Sequence, residues 1–199
     1  MEKYSGEDSA AERRHEEANR SPGTPGPGRR ASRARLLAAL SAVVVAVVLV
    51  DQLTKALAIA TLEGNEPVPI IGPYVSFHFY RNAGAAFGMG SQATWVFPLI
   101  GLVVLGIVAF LARKLGSRAW AAAFGLLLGG LLGNFIDRMV QPPSIGQGAV
   151  VDFINLHFFI CNVADIAITA AAALIIILSF RGIGVDGTLT EDAPKEKSA

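Results

Sequence analysis

The run NVADIAITAAAALIIILSF, residues Asn162 to Phe180, decides the fold class, because it is almost entirely apolar and holds a single ionisable residue. Its length matches the roughly 20 residues that an α-helix needs to cross about 30 Å of hydrocarbon. Asp165 lies one turn inside this run, and a carboxylate at the centre of a membrane helix costs roughly 2.5 to 3.5 kcal/mol. We therefore predict a transmembrane helix that carries a functional carboxylate near its start.

Three further runs are long enough to span a bilayer, at about Leu36–Ala60, Thr94–Ala112 and Ala119–Met139. The whole chain is 52% hydrophobic and only 17% charged, which is outside the usual range of soluble domains. The net charge of +1 comes with basic residues in the first 35 positions and in short loops, so we expect no nucleic-acid partner. The composition predicts a membrane protein with four transmembrane helices.

Basic residues predict the orientation of these helices, because loops rich in Lys and Arg stay in the cytoplasm. Arginines precede the first run, and Arg113, Lys114 and Arg118 lie in the second connection. We therefore expect both termini in the cytoplasm and the loops 61–93 and 140–161 outside. Three regions follow, namely a disordered cytoplasmic extension (1–35), a four-helix membrane domain (36–181) and a mobile, polar cytoplasmic tail (182–199).

An alternative for the first run is a cleaved signal peptide, because Ala58-Ile59-Ala60 has the small-x-small form of a cleavage site. Asp51 and Lys55 argue against it, since they interrupt a run that should be uniformly apolar. The following loop contains the alternating stretch YVSFHFY, residues 74–80, which has the period of a β-strand. Open sheet edges are not tolerated in lipid, so we predict a small sheet on the outer membrane surface.

Several polar residues lie near the predicted outer ends of the helices. Asp51 and Lys55 are four positions apart and are expected to form a structural ion pair, with Lys55 extending toward the lipid headgroups. Asn134, Asp137 and Arg138 share one helix face and either bind a neighbouring helix or simply end their own. Asn162 has the residue type of a helix cap.

Glycine-rich segments have two interpretations. RNAGAAFG, residues 81–88, either exposes N–H groups that hold an extended peptide or forms a re-entrant turn. Gly129, Gly130 and Gly133 are typical of helix-packing positions. The single cysteine, Cys161, cannot form a disulfide within the chain, and we interpret it as a buried thiol.

Asp152, within VVDF, is a second carboxylate set among apolar residues. If the short connection to Asp165 folds back, the two carboxylates can meet, and like charges that close cannot both ionise at low cost. One of them then holds a proton at neutral pH. A pair that shares a proton can activate water and protonate a carbonyl oxygen, which is the chemistry of an aspartic peptidase.

The ordered blocks DQLTK (51–55), RNAGAAFG (81–88), GNFIDR (133–138), VVDF (150–153) and NVADIAI (162–168) resemble those of lipoprotein signal peptidase, or signal peptidase II. The resemblance implies an all-α membrane fold with four transmembrane helices, a small extracytoplasmic β-sheet and a short outer helix. It also implies an intramembrane aspartic endopeptidase of the bacterial inner membrane. Its substrate would be a diacylglyceryl-modified prolipoprotein, cut just before the lipidated cysteine at the extracytoplasmic face.

Residue roles follow from the same resemblance. Asp152 and Asp165 match the catalytic pair, and five residues match positions that bind or position substrate: Asn82, Gly84, Asn134, Arg138 and Asn162. Asp51 and Lys55 match a structural block, and Asp137 belongs to the third block without being catalytic. No metal or cofactor is implied, the lipid bilayer is a partner, and we expect a monomer.

Three departures from the family pattern are visible, namely Cys161 in place of the frequent Phe, Ile166 in place of a small polar residue, and a short gap between the two catalytic aspartates. Two rival functions remain. A small ion- or proton-coupled transporter could use Asp51, Asp137, Asp152 and Asp165 as a relay, although all four lie toward the predicted outer surface rather than the midplane. An inactive membrane scaffold is the other.

Overall fold

A computed structural model describes residues 27–83, 96–143 and 145–189, with side chains from residue 32 and, after the first gap, from residue 99. The chain divides into two compact units, residues 1–34 and 35–199. The second unit contains the sheet, most of the helical structure and all the polar residues discussed below. Gly84, which we predicted to bind or position substrate, lies outside the described residues.

Four helices make up most of the described chain: α1 (Pro27–Leu62), α2 (Val96–Leu111), α3 (Arg118–Val140) and α4 (Val163–Phe180). Within the described residues, three stretches are long and apolar enough to cross a membrane, namely Ser32–Leu62, Arg118–Val140 and Val163–Phe180. The described part of α2 has 16 residues, and its predicted start at Thr94 falls outside the described range. A fourth transmembrane helix therefore stays a prediction.

The helix bounds agree with the sequence except at the start of α1. That helix begins at Pro27 and not at Leu36, so residues 27–35, which we predicted to be disordered, are helical. Alanine and arginine are good helix formers, and proline is tolerated at the first helical position, where its missing N–H would lack a partner anyway. The apolar run was therefore a poor guide to where the helix starts.

Small residues let α3 approach its neighbours closely. A Cβ added at Gly129 would lie 2.7 Å from Cβ of Val47 on α1, and one added at Gly130 would lie 2.5 Å from the carbonyl oxygen of Ala164 on α4. Both distances are shorter than side chains allow, so the contacts require glycine. The predicted packing role of these glycines is confirmed, and α3 is wedged between α1 and α4.

An antiparallel sheet of four strands in the order β1-β2-β3-β4 caps one end of the helices: β1 (Val68–Ile71), β2 (Val75–Asn82), β3 (Val150–Asn155) and β4 (Ile160–Cys161). The central pairing brings Asn82 opposite Val150 and Tyr80 opposite Asp152. Since β1 and β2 come from one predicted outer loop and β3 and β4 from the other, both loops lie at the same end of the helices. Among the described residues of these loops there is no helix, so the short outer helix is not seen there.

The opposite end of the second unit contains an apolar core, in which Trp120 and Phe124 of α3 pack with Leu36 of α1 and Leu178 of α4. The chain after α4 folds back onto this core. Trp120 Nε1 donates to the Ile183 carbonyl oxygen at 2.9 Å, and the Gly116 N–H donates to that of Val185 at 3.0 Å. The predicted mobile tail is therefore ordered up to Leu189, because its backbone satisfies donors of the α2–α3 connection.

Candidate active site

Asp152 lies on β3 with its carboxylate almost fully buried, at 1% relative exposure. Its Oδ2 accepts a hydrogen bond from Asn82 Nδ2 at 3.0 Å, and its Oδ1 accepts one from Asn162 Nδ2 at 2.6 Å. Asn82 is the last residue of β2, so the β2–β3 pairing positions this contact. The sheet thus places one aspartate against the start of α4.

Asp165 is the third residue of α4 and forms a capping box with Asn162. The Asp165 N–H donates to Asn162 Oδ1 at 3.0 Å, and the Asn162 N–H donates to Asp165 Oδ2 at 3.2 Å. Both bonds satisfy backbone donors that the first turn of a helix leaves open. The predicted cap at Asn162 is confirmed, and its side chain contacts both aspartates.

A second amide completes the link between the two carboxylates. Asn134 on α3 donates through Nδ2 to Asp165 Oδ1 at 2.8 Å, and its Oδ1 accepts from Asn162 Nδ2 at 3.1 Å. We call Asn134 and Asn162 the amide bridge, and Asp152 and Asp165 the carboxylate pair. The short connection does fold back, and the two carboxylates are joined through neutral amides.

Burial and neighbouring charges distinguish Asp152 from an ordinary surface aspartate. Burial raises the pKa of Asp152 to about 6, and the charge of Asp165 adds to the rise, while hydrogen bonds from Asn82 and Asn162 and the charge of Lys55 oppose it. Two cations, Lys55 and Arg138, lie near four carboxylates in this region, those of Asp51, Asp137, Asp152 and Asp165, so full ionisation would leave an excess of two negative charges. A proton on Asp152 reduces that excess, and the region is suited to holding one.

Asp51, Lys55 and Asp137 form an ionic cluster beside the amide bridge. Lys55 Nζ lies 2.9 Å from Asp51 Oδ2 and 2.8 Å from Asp137 Oδ2, and no member is more than 1% exposed. The predicted ion pair between Asp51 and Lys55 is confirmed. The prediction that Lys55 extends to the headgroups is wrong, because the side chain turns inward to two carboxylates that would otherwise be buried without a cation.

Backbone and side-chain amides complete the coordination of the ionic cluster. The Ala164 N–H donates to Asp51 Oδ1 at 2.9 Å, and the Val151 N–H donates to Asp137 Oδ2 at 3.0 Å. Gln52 Nε2 lies 3.1 Å from both Asp51 Oδ2 and Asp137 Oδ1. Sequence reasoning missed Gln52, although an amide next to Asp51 within an apolar helix was a signal for it.

Arg138 holds two loops at the end of α3. Its Nη1 donates to the Gly148 carbonyl oxygen at 3.2 Å and lies 3.4 Å from that of Ala83. Ala83 follows β2 and leads into the glycine-rich segment 84–88, of which the structure describes nothing. The structure therefore brings six of the predicted site residues around one region: Asn82, Asn134, Arg138, Asp152, Asn162 and Asp165.

Cys161 is buried on β4, which agrees with its interpretation as a buried thiol. Burial raises its pKa to about 11, and the charges of Asp165 and Asp152 add to the rise. His157 lies in the β3–β4 turn with φ 70°, and its Nδ1 is 3.2 Å from the Pro73 carbonyl oxygen. A protonated thiol on a strand is a poor nucleophile.

Residues 43–181, which contain both aspartates and the amide bridge, match the family model described as signal peptidase (SPase) II. The chain belongs to the signal peptidase II family. Lipoprotein signal peptidase of Streptomyces coelicolor is 50% identical over 79% of this chain and 78% of its own length. That of Leifsonia xyli is 44% identical over 83% of this chain and 78% of its own length.

Two solved structures are similar to this member of the signal peptidase II family, and both are described as bacterial membrane enzymes determined by the in meso method. One has a TM-score of 0.60 at 32% identity and covers 70% of this chain and 90% of its own. The other has a TM-score of 0.61 at 30% identity and covers 79% of this chain and 92% of its own. The resemblance drawn from the sequence blocks is thereby confirmed, and the chain is a membrane peptidase of this family.

Proposed function

We propose that this protein is an intramembrane aspartic endopeptidase that removes the signal peptide from diacylglyceryl-modified bacterial prolipoproteins, cutting just before the lipidated cysteine. The observation that carries the proposal is Asn162, whose side chain contacts Asp152 at 2.6 Å and caps Asp165. Family membership supports the cleavage of prolipoprotein signal peptides. The aspartic type of catalysis is inferred from Asp152 and Asp165.

The carboxylate pair divides the acid and base roles. Asp152, whose pKa is raised to about 6 so that it holds a proton more readily than an ordinary aspartate, donates its proton to the carbonyl oxygen of the scissile peptide bond. Asp165 takes a proton from the attacking water, and the water oxygen bonds to the carbonyl carbon. Asp152 then recovers a proton from the tetrahedral intermediate while Asp165 protonates the leaving nitrogen, and the C–N bond breaks. The pair ends in its starting protonation state.

The other site residues position the reacting groups. Asn82 and the amide bridge hold the carboxylates by direct hydrogen bonds, and Arg138 ties the chain at Ala83 to the end of α3. The segment after Ala83, including Gly84, would accept the extended peptide through its backbone. The exposed apolar side chains of α4, such as Ile166 and Ile176, would contact lipid and the diacylglyceryl chains.

Membrane placement is part of the proposal. Four transmembrane helices, with α2 as the second, would put both termini in the cytoplasm of a bacterial inner-membrane protein and the sheet on the extracytoplasmic surface. The short outer helix would then belong to the outer loops. The residues before α1 would form a cytoplasmic extension and residues 182–199 a cytoplasmic tail. We propose that the enzyme acts as a monomer without metal or cofactor.

Cleavage of a purified diacylglyceryl-modified prolipoprotein in reconstituted vesicles tests the proposal. Asp152→Asn and Asp165→Asn should each reduce the turnover rate by at least about 10²- to 10⁴-fold, because each removes a group that transfers a proton in the transition state. Asp186→Asn is the matched control, since Asp186 lies in the exposed turn at the far end of the second unit and its side chain accepts hydrogen bonds from Thr188. It should retain normal cleavage.

A near-normal rate in either active-site variant would overturn the catalytic assignment. A lost rate supports it when circular dichroism shows that the variant remains folded. Equal cleavage of the same precursor without lipid would overturn the substrate assignment. The transporter alternative predicts ion flux in the vesicles without peptide cleavage, and flux that disappears in Asp152→Asn would favour it.

A further inference from the structure

We propose that Lys55 is a positioning residue of the peptidase reaction: it fixes the orientation of the Asn134 amide and so determines how hydrogen-bond donors meet both members of the carboxylate pair. The sequence blocks indicated only a structural role for this lysine. The inference rests on the proposed function, since it concerns the same two aspartates. It is carried by three contacts of one buried ammonium group.

Lys55 Nζ is buried and has three acceptors around it. Two are the carboxylate oxygens Asp51 Oδ2 and Asp137 Oδ2, and the third is Asn134 Oδ1 at 3.0 Å. An ammonium group has three N–H donors and no acceptor, so all three donors are used. Gln52 Nε2 contacts Asp51 and Asp137, and Gly133 leaves no space beside Asp51, which keeps the ammonium group in place.

This contact determines which end of the Asn134 amide faces each neighbour. A donor-only group can face the amide oxygen but not the amide nitrogen. With Oδ1 held by Lys55, Nδ2 is directed to Asp165 Oδ1 at 2.8 Å. A flipped amide would set donor against donor at Lys55 and oxygen against oxygen at Asp165. Lys55 therefore specifies that Asp165 receives a hydrogen bond from Asn134.

The orientation of the Asn134 amide also determines how the second amide, Asn162, contacts Asp152. Asn134 Oδ1 also accepts from Asn162 Nδ2 at 3.1 Å, which leaves Asn162 Oδ1 to accept from the Asp165 N–H. Asn162 Nδ2 in turn donates to Asp152 Oδ1. Lys55 thus determines the orientation of both amides of the bridge. Among the contacts found in the described residues, Lys55 is the charged donor that contacts the bridge, through Asn134.

The charge of Lys55 has a separate effect on the carboxylate pair. It lowers the pKa of Asp152 and so opposes the rise caused by burial. Removal of the charge and removal of the donor therefore have different consequences. The charge affects the pH at which Asp152 ionises, and the donor affects the geometry in which the pair meets water.

Lys55→Met and Lys55→Gln separate these two effects in the prolipoprotein cleavage assay. Lys55→Met removes donor and charge, whereas Lys55→Gln keeps a neutral N–H that can face Asn134 Oδ1. We expect Lys55→Met to lower kcat by about 10- to 100-fold, as loss of a supporting hydrogen-bond partner typically does, with KM unchanged. Lys55→Gln should lose less kcat. Both variants should move the Asp152 limb of the pH–rate profile to higher pH.

Two further variants guard against simple unfolding. Asp51→Asn combined with Lys55→Met removes one anion with the cation, so the ionic cluster keeps its overall charge and a folded protein is expected to show the same loss of kcat. Gln52→Met disturbs the ionic cluster without touching the Lys55–Asn134 contact. Because Gln52 helps to hold the ammonium group, this variant should lower stability and lose less kcat than Lys55→Met, while the retained charge of Lys55 leaves the pH–rate profile in place.

The inference is overturned if folded Lys55→Met keeps the kcat and pH–rate profile of the unchanged enzyme. It is also overturned if Lys55→Met and Lys55→Gln lose kcat equally without any pH shift, which would indicate a purely structural lysine. Asp152→Asn and Asp165→Asn are assayed in parallel. If they stay active, the proposed function fails, whereas an inactive Asp152→Asn beside a normal Lys55→Met contradicts only the role of Lys55.

Discussion

Two pairs of aspartates lie at the same end of this protein, and they differ in what stands between them. Lys55 lies between Asp51 and Asp137, within 2.9 Å of each. The amide bridge of Asn134 and Asn162 stands between Asp152 and Asp165. A cation contacts both carboxylates of the first pair directly, whereas neutral amides contact the second pair, so a proton on Asp152 reduces the negative charge there.

The difference separates a structural pair from a chemical one. In the ionic cluster, every carboxylate is bound by the lysine, Gln52 and a backbone N–H, so nothing is left to exchange with a substrate. Asp152 accepts from two amides and its pKa is raised to about 6. Asp137 and Asp152 are both buried, yet their charges have different surroundings, so the free energy of unfolding should respond differently when each charge is removed.

The largest expected contrast is between Asp137→Asn and Asp152→Asn. Asp137→Asn leaves Lys55 with one carboxylate, and breaking a buried ion pair typically costs about 3–5 kcal/mol of unfolding free energy. Asp152→Asn removes a charge that burial disfavours but turns an amide N–H toward one of its two amide donors, so stability at pH 7 should change much less. Unfolding by sodium dodecyl sulfate in mixed micelles, followed by circular dichroism, measures both.

Equal destabilisation by the two substitutions would contradict the distinction between the pairs. Asp186→Asn is the matched control, because it changes an exposed aspartate of the same chain and should have a small effect. The comparison uses stability alone, so it does not depend on the identity of the substrate.

Sequence reasoning found most of the members of both pairs but not their arrangement. The i,i+4 spacing predicted the contact between Asp51 and Lys55, because neighbours on one helix face depend only on local geometry. The contact of Lys55 with Asp137 and Asn134 joins α1 to α3, and a spacing within one helix carries no information about it. Lys55 was for that reason expected at the headgroups.

The fold shows the same division between local and long-range information. The ends of α3 and α4 followed from apolar runs and from the Asn162 cap, and the alternating residues 74–80 predicted β2. The pairing of β2 with β3, which brings Asn82 to Asp152, joins two loops that are distant in sequence. Likewise, the ordered tail depends on backbone partners in the α2–α3 connection, which its polar composition does not reveal.

The pH dependence of stability sharpens the contrast further. Asp152 has a raised pKa of about 6 in the folded protein, against about 3.9 for an unfolded aspartate. The stabilisation that Asp152 adds to the free energy of unfolding is therefore fully present below about pH 4 and is lost as the pH rises through 6. Its total is about 3 kcal/mol. The difference in unfolding free energy between the unchanged protein and Asp152→Asn should change by that amount between pH 4 and 7.

Subtracting the variant cancels carboxylates that do not interact with Asp152, including Asp186, whose pKa is lowered by its hydrogen bonds to Thr188 and which changes stability in the opposite direction. A difference that is flat across this range would show that Asp152 titrates normally. The acid role assigned to Asp152 would then lose its electrostatic support.

The smallest effect tests how rigidly the ionic cluster is held. A Cβ added at Gly133 would lie 2.5 Å from Asp51 Oδ2 and 3.3 Å from Cβ of Ala164, so Gly133→Ala must displace the carboxylate or separate α3 from α4. Overpacking of this kind typically costs about 1–3 kcal/mol. Gly106→Ala on α2 is the matched control, because no atom of the described part of the chain lies within 4 Å of its added Cβ. It should be neutral or slightly stabilising, since alanine favours helix more than glycine. If Gly133→Ala lowers the free energy of unfolding no more than Gly106→Ala does, the Asp51 carboxylate has room to move. Lys55 would then not be fixed between two rigid carboxylates, and the contrast between the two pairs would be weakened.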